Sequence, residues 1–246
     1  MPRGILTGTM RRRTFITTAG TVSFVGLAGC NGGLPDNLEF TAEPATLESA
    51  AATDAGYERQ ETTSIDIDES IDVAGETRDV KITTWTTSYQ SYQGTFIILS
   101  TPNAEIAGIS ANPLTRISGG ELIARLLELA GGGEAISDLE ATGESEVTVF
   151  GETTTVEEFT ATLEIGSGES STGGDSGNFP TGGENGEVPI RLYLLSATHE
   201  TEESSDVIFS LAFQPQNQID SERIYALFSS VQHPVSPPQS ATDSSQ

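Results

Sequence analysis

The chain has few side chains able to do covalent or metal chemistry. It holds one cysteine, Cys30, one lysine, Lys81, and two histidines, His199 and His233, against 36 aspartates and glutamates. A serine nucleophile needs a histidine to take its proton and a carboxylate to orient that histidine. A structural zinc site needs about four Cys or His donors, and this inventory falls short of one. Lys81 has Arg78 three residues before it where Ser-x-x-Lys chemistry would require a serine. Glycoside hydrolysis needs a carboxylate pair, but with 36 acids some pair is guaranteed, and it identifies nothing. Asp66-Ile67-Asp68-Glu69 lacks the alternating oxygen frame and fixed glycine of a calcium loop. The sequence therefore assigns no catalytic residue, no cofactor and no metal ligand.

Two local patterns still require weighing. Gly174-Asp175-Ser176-Gly177 resembles the segment around the nucleophile of trypsin-like serine proteases. In that family the histidine precedes the serine, whereas His199 and His233 both follow it here, and the string lies in Gly/Ser-rich sequence. Trp85 and Tyr89 share a strand face, with Tyr92 at the following turn. Exposed, they would stack on a sugar or an apolar ligand; under a helix they are core, which is the expectation. His199 beside Glu200 reads as a strand-end turn residue.

The strongest pattern is N-terminal. Arg11-Arg12-Arg13 precedes a mild apolar stretch, Phe15 to Leu27, and small residues lead into Cys30. That stretch is too short and too polar for the roughly 20 apolar residues of a membrane span, so it reads as a processed targeting segment. Arg12-Arg13-Thr14-Phe15-Ile16 resembles the twin-arginine export signal, with Arg12, Arg13 and Phe15 as its core. Leu27-Ala28-Gly29-Cys30 resembles the lipobox of prokaryotic lipoproteins. Export of a folded domain, cleavage before Cys30 and a diacylglyceryl group on its sulfur are what these resemblances imply. Two acyl chains suffice for stable anchoring. Met10 serves as well as Met1 for the start, since residues 1–9 add nothing the signal needs.

The formal charge of the whole chain is −25. Residues 1–29 carry four arginines and no acid, so the remainder has 11 − 4 = 7 basic residues against 36 acidic, a net −29. Such a surface repels phosphates, which excludes nucleic acid as a partner. It also repels anionic headgroups, leaving the lipid as the membrane attachment. At molar salt the Debye length is about 3 Å and the self-repulsion is screened. A lysine-poor acidic surface is therefore read as adaptation to concentrated salt.

Residues 30–41 read as a tether and 233–246 as a disordered Pro/Ser-rich tail. Between them, 42–232 are expected to form one domain. A helix fits Thr46 to Ala55. Ile65, Ile67, Ile71 and Val73 alternate with Asp66, Asp68, Ser70 and Asp72, a strand with one wet face. It pairs with a run through Val80, Ile82 and Thr84 to Tyr89. Thr95 to Ser100 reads as an inner strand, apolar on both faces. Ser118-x-x-Glu121 caps a second helix with Leu122, Ile123, Leu126 and Leu127 on one stripe, closed by Gly131-Gly132-Gly133. Strands resume at Val147–Phe150, Val156–Ile165, Ile190–Ala197 and Val207–Phe213. A Gly/Ser-rich loop at 166–186, either functional or a disordered insertion, interrupts them. A last helix starts from an Asp220 cap.

Gly75-Glu76-Thr77-Arg78-Asp79-Val80 and Gly151-Glu152-Thr153-Thr154-Thr155-Val156 share G-E-T-x-x-V. The echo favours two similar hairpin turns over a duplicated unit. The element order is helix, three strands, helix, four strands, helix. That order predicts an α+β fold, a mainly antiparallel sheet of six to seven strands flanked by three helices. It resembles, in topology, the PsbP/Mog1 type of fold.

As a whole the chain resembles twin-arginine-exported lipoproteins of halophilic archaea, an uncharacterised family. The resemblance adds Leu38-Glu39-Phe40-Thr41-Ala42-Glu43-Pro44-Ala45 and Phe150-Gly151-Glu152-Thr153-Thr154-Thr155-Val156 to the two N-terminal motifs. It implies a location, the extracytoplasmic face of the cell membrane, and no substrate. The expected role is a non-catalytic binding or envelope-assembly accessory protein with a protein or ligand partner. A hydrolase acting on envelope material and a divalent-cation-binding surface protein are the alternatives.

Overall fold

Alternation of apolar residues on long strands builds this domain, and two central strands are buried along nearly their whole length. The computed structural model describes residues 37–73, 75–129, 135–164, 187–202 and 204–237, all within the unit Asn31–Gln246. The export signal, Cys30, Gly131-Gly132-Gly133, the loop 166–186 with Ser176, and the tail from 238 lie outside the described residues.

Strand β1 (Asn37–Thr41) is followed by a two-residue strand β2 (Thr46–Leu47) and helix α1 (Ser49–Asp54). Three long strands come next, β3 (Glu58–Val73), β4 (Glu76–Ser91) and β5 (Gly94–Pro102). A small hairpin, β6 (Glu105–Ile106) with β7 (Ile109–Ser110), and a 3-10 turn at Pro113–Arg116 lead into helix α2 (Gly119–Leu129). Then follow β8 (Ala135–Val149), β9 (Glu152–Glu164), β10 (Glu187–Glu200), β11 (Ser205–Pro215), helix α3 (Ser221–Ser229) and β12 (Val231–Gln232). The expected order of helices and long strands is present, with β1, β2, β6, β7 and β12 added.

The main sheet has eight strands and is mixed, where six to seven in a mainly antiparallel sheet were expected. β1 runs parallel to β4, and the other pairings are antiparallel. β3 takes one edge of β4 from Glu76 to Gln90, so β1 (on Asp79–Thr83) and β5 (on Trp85–Ser91) share the other, end to end. Across the sheet the order is β3, β4, the β1/β5 row, β11, β10, β9 and β8.

Both faces are covered. Ile97 and Leu99 of β5, Leu192 and Leu194 of β10, and Phe209 and Leu211 of β11 join one core with Leu122, Ile123 and Leu126 of α2. The alternate residues Phe96, Ile98, Tyr193, Leu195 and Ile208 join a second core with Ile224, Leu227 and Phe228 of α3 and Ala52 of α1. Period-two alternation places the two cores on opposite sides of the sheet. β5 is buried along its whole length, as an inner strand covered on both faces must be. The expected wet face of β3 is also there, with Asp66, Asp68, Ser70 and Asp72 exposed.

Three boundaries differ from expectation, each because a distant segment supplies a partner. The tether gives up its end to β1, since Leu38 is buried against the α2-side core. The first helix starts at Ser49 because Thr46 and Leu47 pair with Gln232 and Val231. The C-terminal segment continues in place past 232, where the His233 side chain is buried and the Val235 N–H donates to the Pro44 carbonyl.

The strand order is palindromic about β11, with β3-β4-β5 on one side answering β8-β9-β10 on the other. α1, which precedes the first set, packs on one face, and α2, which precedes the second, packs on the other. Both copies of the G-E-T-x-x-V echo start at a hairpin tip, with Val73 paired to Glu76 and Val149 to Glu152. Val80 and Val156 then enter opposite cores. The tips are not equivalent, however: Val156 stands level with Ser210 of β11, whereas Trp85, five residues past Val80, is level with Ile208, so the echo reads as two similar hairpin turns.

Candidate functional site

Two features with chemical content lie at the end of the sheet where β10 turns into β11, one on each face. On the α2 side is a groove of about 690 Å³. Its floor is apolar, from Leu194, Val207 and Phe209 of the sheet with Leu122 of α2 and Ile117 before it. Hydroxyls form much of its rim: Thr115 and Ser118 beside the helix start, Thr154 and Thr155 on β9, Ser196 and Thr198 on β10. Asn103, Glu144 and Glu157 complete the lining, and no Lys or Arg is among it. Glu144 and Glu157 face each other directly across the β8–β9 ladder. Like charges in that position repel, and neither makes a salt bridge among the described residues.

On the opposite face, Asp206, His233 and His199 form a hydrogen-bonded chain. β10 and β11 bring His199 and Asp206 into register as direct cross-strand partners. His233 arrives from the segment after β12. His233 Nε2 lies 3.0 Å from Asp206 Oδ2, and His233 Nδ1 lies 3.0 Å from His199 Nδ1. Asp206 Oδ2 also accepts the Glu43 N–H, while its buried Oδ1 has no partner among the described residues. The side chains of His233 and Asp206 are 0% and 1% exposed.

A carboxylate accepts only, so a neutral His233 donates from Nε2 and keeps an acceptor lone pair on Nδ1. His199 must then donate from Nδ1, which leaves its Nε2 lone pair free. Burial first, then the neighbouring His233, hold His199 below the ordinary histidine range, with Asp206 pulling the other way. The Phe150 ring stacks on His199 with centroids 4.3 Å apart. Phe150 occupies a costly position, the first of a two-residue turn with φ +53, followed by Gly151 at φ +83. Both values suit a type I′ hairpin, in which Asn or Asp is the usual first residue and a bulky one is strained.

The structure thus brings together the two histidines that the sequence left apart. His199, expected as a turn residue, is the partly exposed end of the chain, and His233, expected in a disordered tail, is its buried middle. Asp206 and Phe150 carried no signal as site residues: an Asp before an apolar strand and a Phe before a glycine are ordinary strings. Other candidates fall elsewhere. Lys81 pairs with Asp66 at 2.8 Å on the exposed side of β3–β4. Hydrogen bonding and attraction from Asp66 raise the Lys81 pKa, and Lys81 with Thr83 lowers that of Asp66. Tyr89 is core, its hydroxyl accepting the Leu47 N–H at 2.8 Å, while Trp85 is half-buried and Tyr92 is 66% exposed. No helix among the described residues is long and apolar enough to cross a membrane.

No curated protein matches the sequence significantly. The chain belongs to the family described as a domain of unknown function (DUF6517), which it matches over residues 44–232.

Proposed function

We propose that the chain is a lipid-anchored binding protein on the extracytoplasmic face of the cell membrane, adapted to high salt, whose ligand occupies the groove beside α2. The observation that carries the binding role is the groove itself, an apolar floor under a rim of hydroxyls and carboxylates with no basic side chain. Small ligands bind in concave sites where polar groups converge over an apolar floor, and here the polar groups make up most of the lining. Two opposed glutamates without a salt-bridge partner among the described residues favour a cationic or polyhydroxylated organic ligand over an anionic one. Attachment rests on Arg12, Arg13 and Phe15 for export and on Leu27, Ala28, Gly29 and Cys30 for lipidation.

The binding role is tested by titrating the domain with a short diamine such as 1,5-diaminopentane at fixed ionic strength, following backbone amide shifts. Saturable shifts clustered on Leu122, Glu157 and Ser196, weakened by Glu157→Gln, are expected. Shifts spread over the acidic surface, or unaffected by the substitution, count against it. The anchor is tested by intact mass of the membrane-extracted protein, which must lack residues 1–29 and carry a lipid adduct on Cys30.

A hydrolase is the second reading, favoured by the Asp206–His233–His199 chain, which presents an oriented imidazole. Among the described residues no hydroxyl or thiol hydrogen-bonds to His199, so its nucleophile would be water. Release of product from envelope polysaccharide or peptide, abolished by His199→Ala, would establish it.

A further inference from the structure

The two Nδ1 atoms that share a proton in the histidine chain are also placed as a chelating pair. They lie 3.0 Å apart, on rings inclined at 82° with centroids 5.2 Å apart. With metal–imidazole bonds of about 2.0–2.1 Å, that separation subtends about 90–97° at a shared ion. A tetrahedral ion would hold the same nitrogens about 3.3–3.4 Å apart at those bond lengths. Once the proton between them has moved away, nitrogens at this separation suit cis positions of a square-planar or octahedral ion.

The surroundings supply what a ligating histidine needs. Asp206 binds the far nitrogen of His233 and so fixes the tautomer whose Nδ1 lone pair is free, the usual carboxylate support behind a metal-bound imidazole. Asp206 also places a buried negative charge one ring away from the ion, and its Oδ1 has no hydrogen-bond partner among the described residues to share that charge. Phe150 covers one face of His199 and limits solvent there.

We propose that His199 and His233 chelate one divalent transition-metal ion through their Nδ1 atoms, Cu(II) in preference to Ni(II), with solvent filling the remaining positions. Nitrogen donors in tetragonal geometry select these two ions, and Cu(II) binds more tightly at a given site. No group of three or more His, Cys, Asp or Glu side chains converges on a metal position among the described residues, so the closed tetrahedral set of a structural zinc site is not formed. Loading moves the His199 proton from Nδ1 to Nε2 and releases none from the neutral pair. The site is separate from the groove, on the other face of the sheet.

The test uses the full chain, treated with chelator and titrated with Cu(II) in KCl with excess Mg(II) to occupy surface carboxylates. One Cu(II) per chain, with an axial electron paramagnetic resonance spectrum split by two nitrogens, is expected. His199→Ala should remove the two-nitrogen pattern and weaken binding at least tenfold, with the fold checked by circular dichroism. Asp206→Asn should weaken binding about tenfold. A wild-type spectrum without nitrogen splitting overturns the proposal without recourse to any variant, as does binding that His199→Ala leaves unchanged.

Discussion

At the scale of single residues, the informative groups are buried polar ones whose partners lie far along the chain. Asp206 holds the Glu43 N–H and His233 together. Asp206→Ala strands both donors and is expected to cost about 3 kcal/mol in urea unfolding, as loss of one member of a buried pair does. Asp206→Asn keeps an acceptor and should cost less than half of that. Tyr89→Phe removes the acceptor of the buried Leu47 N–H, and a loss of about 1–2 kcal/mol is expected by the same measurement. Chemistry of this kind was barely legible beforehand. Lys81 and Cys30 stand out because they are unique, whereas Asp206 is one acid among 36 and is singled out only by burial. Composition made the segment from His233 look like tail, because a hydrogen bond between residues 27 apart leaves no local pattern.

At the scale of elements, sequence pattern carried further. The alternation of β3, the all-apolar β5, the stripe of α2 and the Asp220 cap of α3, whose Oδ1 accepts the Arg223 N–H, are local signals and were readable. The short strands β1, β2 and β12 were not, because two to five residues hold no period and form only against a partner. Two turns offer tests. Phe150→Asn puts a preferred residue at a positive φ and should relieve about 1 kcal/mol of strain while uncovering His199. Faster carbethoxylation of His199 by diethyl pyrocarbonate, with unfolding free energy unchanged or raised, is the expected pair of results. Gly94, at φ +155, sits where a Cβ would lie 2.1 Å from the Phe213 carbonyl oxygen. Gly94→Ala must push β5 off β11 locally and should lower the unfolding free energy by about 2 kcal/mol or more.

For the whole molecule, the two cores and the excess of carboxylate decide behaviour. Burial raises the pKa of Tyr57, Tyr89, Tyr193 and Tyr225, with Glu158 adding to the effect at Tyr225. Their stabilising contribution is complete below the unfolded-state tyrosine pKa of about 10. It is lost as pH rises through the higher folded values. Absorbance titration near 295 nm should show these tyrosines ionising late and together with unfolding. The thermal midpoint should also climb with KCl from about 0.1 M to 1 M, as the Debye length contracts from about 10 Å to 3 Å.

The parallel strand β1 has a mechanical consequence. β1 lies along β4 with five residue pairs in register, from Asn37 with Asp79 to Thr41 with Thr83. A pull on Asn37 along the strand axis loads those hydrogen bonds side by side, in shear, where an unzipping pull would break them one at a time. A chain held by its N-terminal end therefore meets drag with its strongest geometry. Stretched from that end in a single-molecule trap, the domain should resist higher force than when opened across the β3–β4 hairpin.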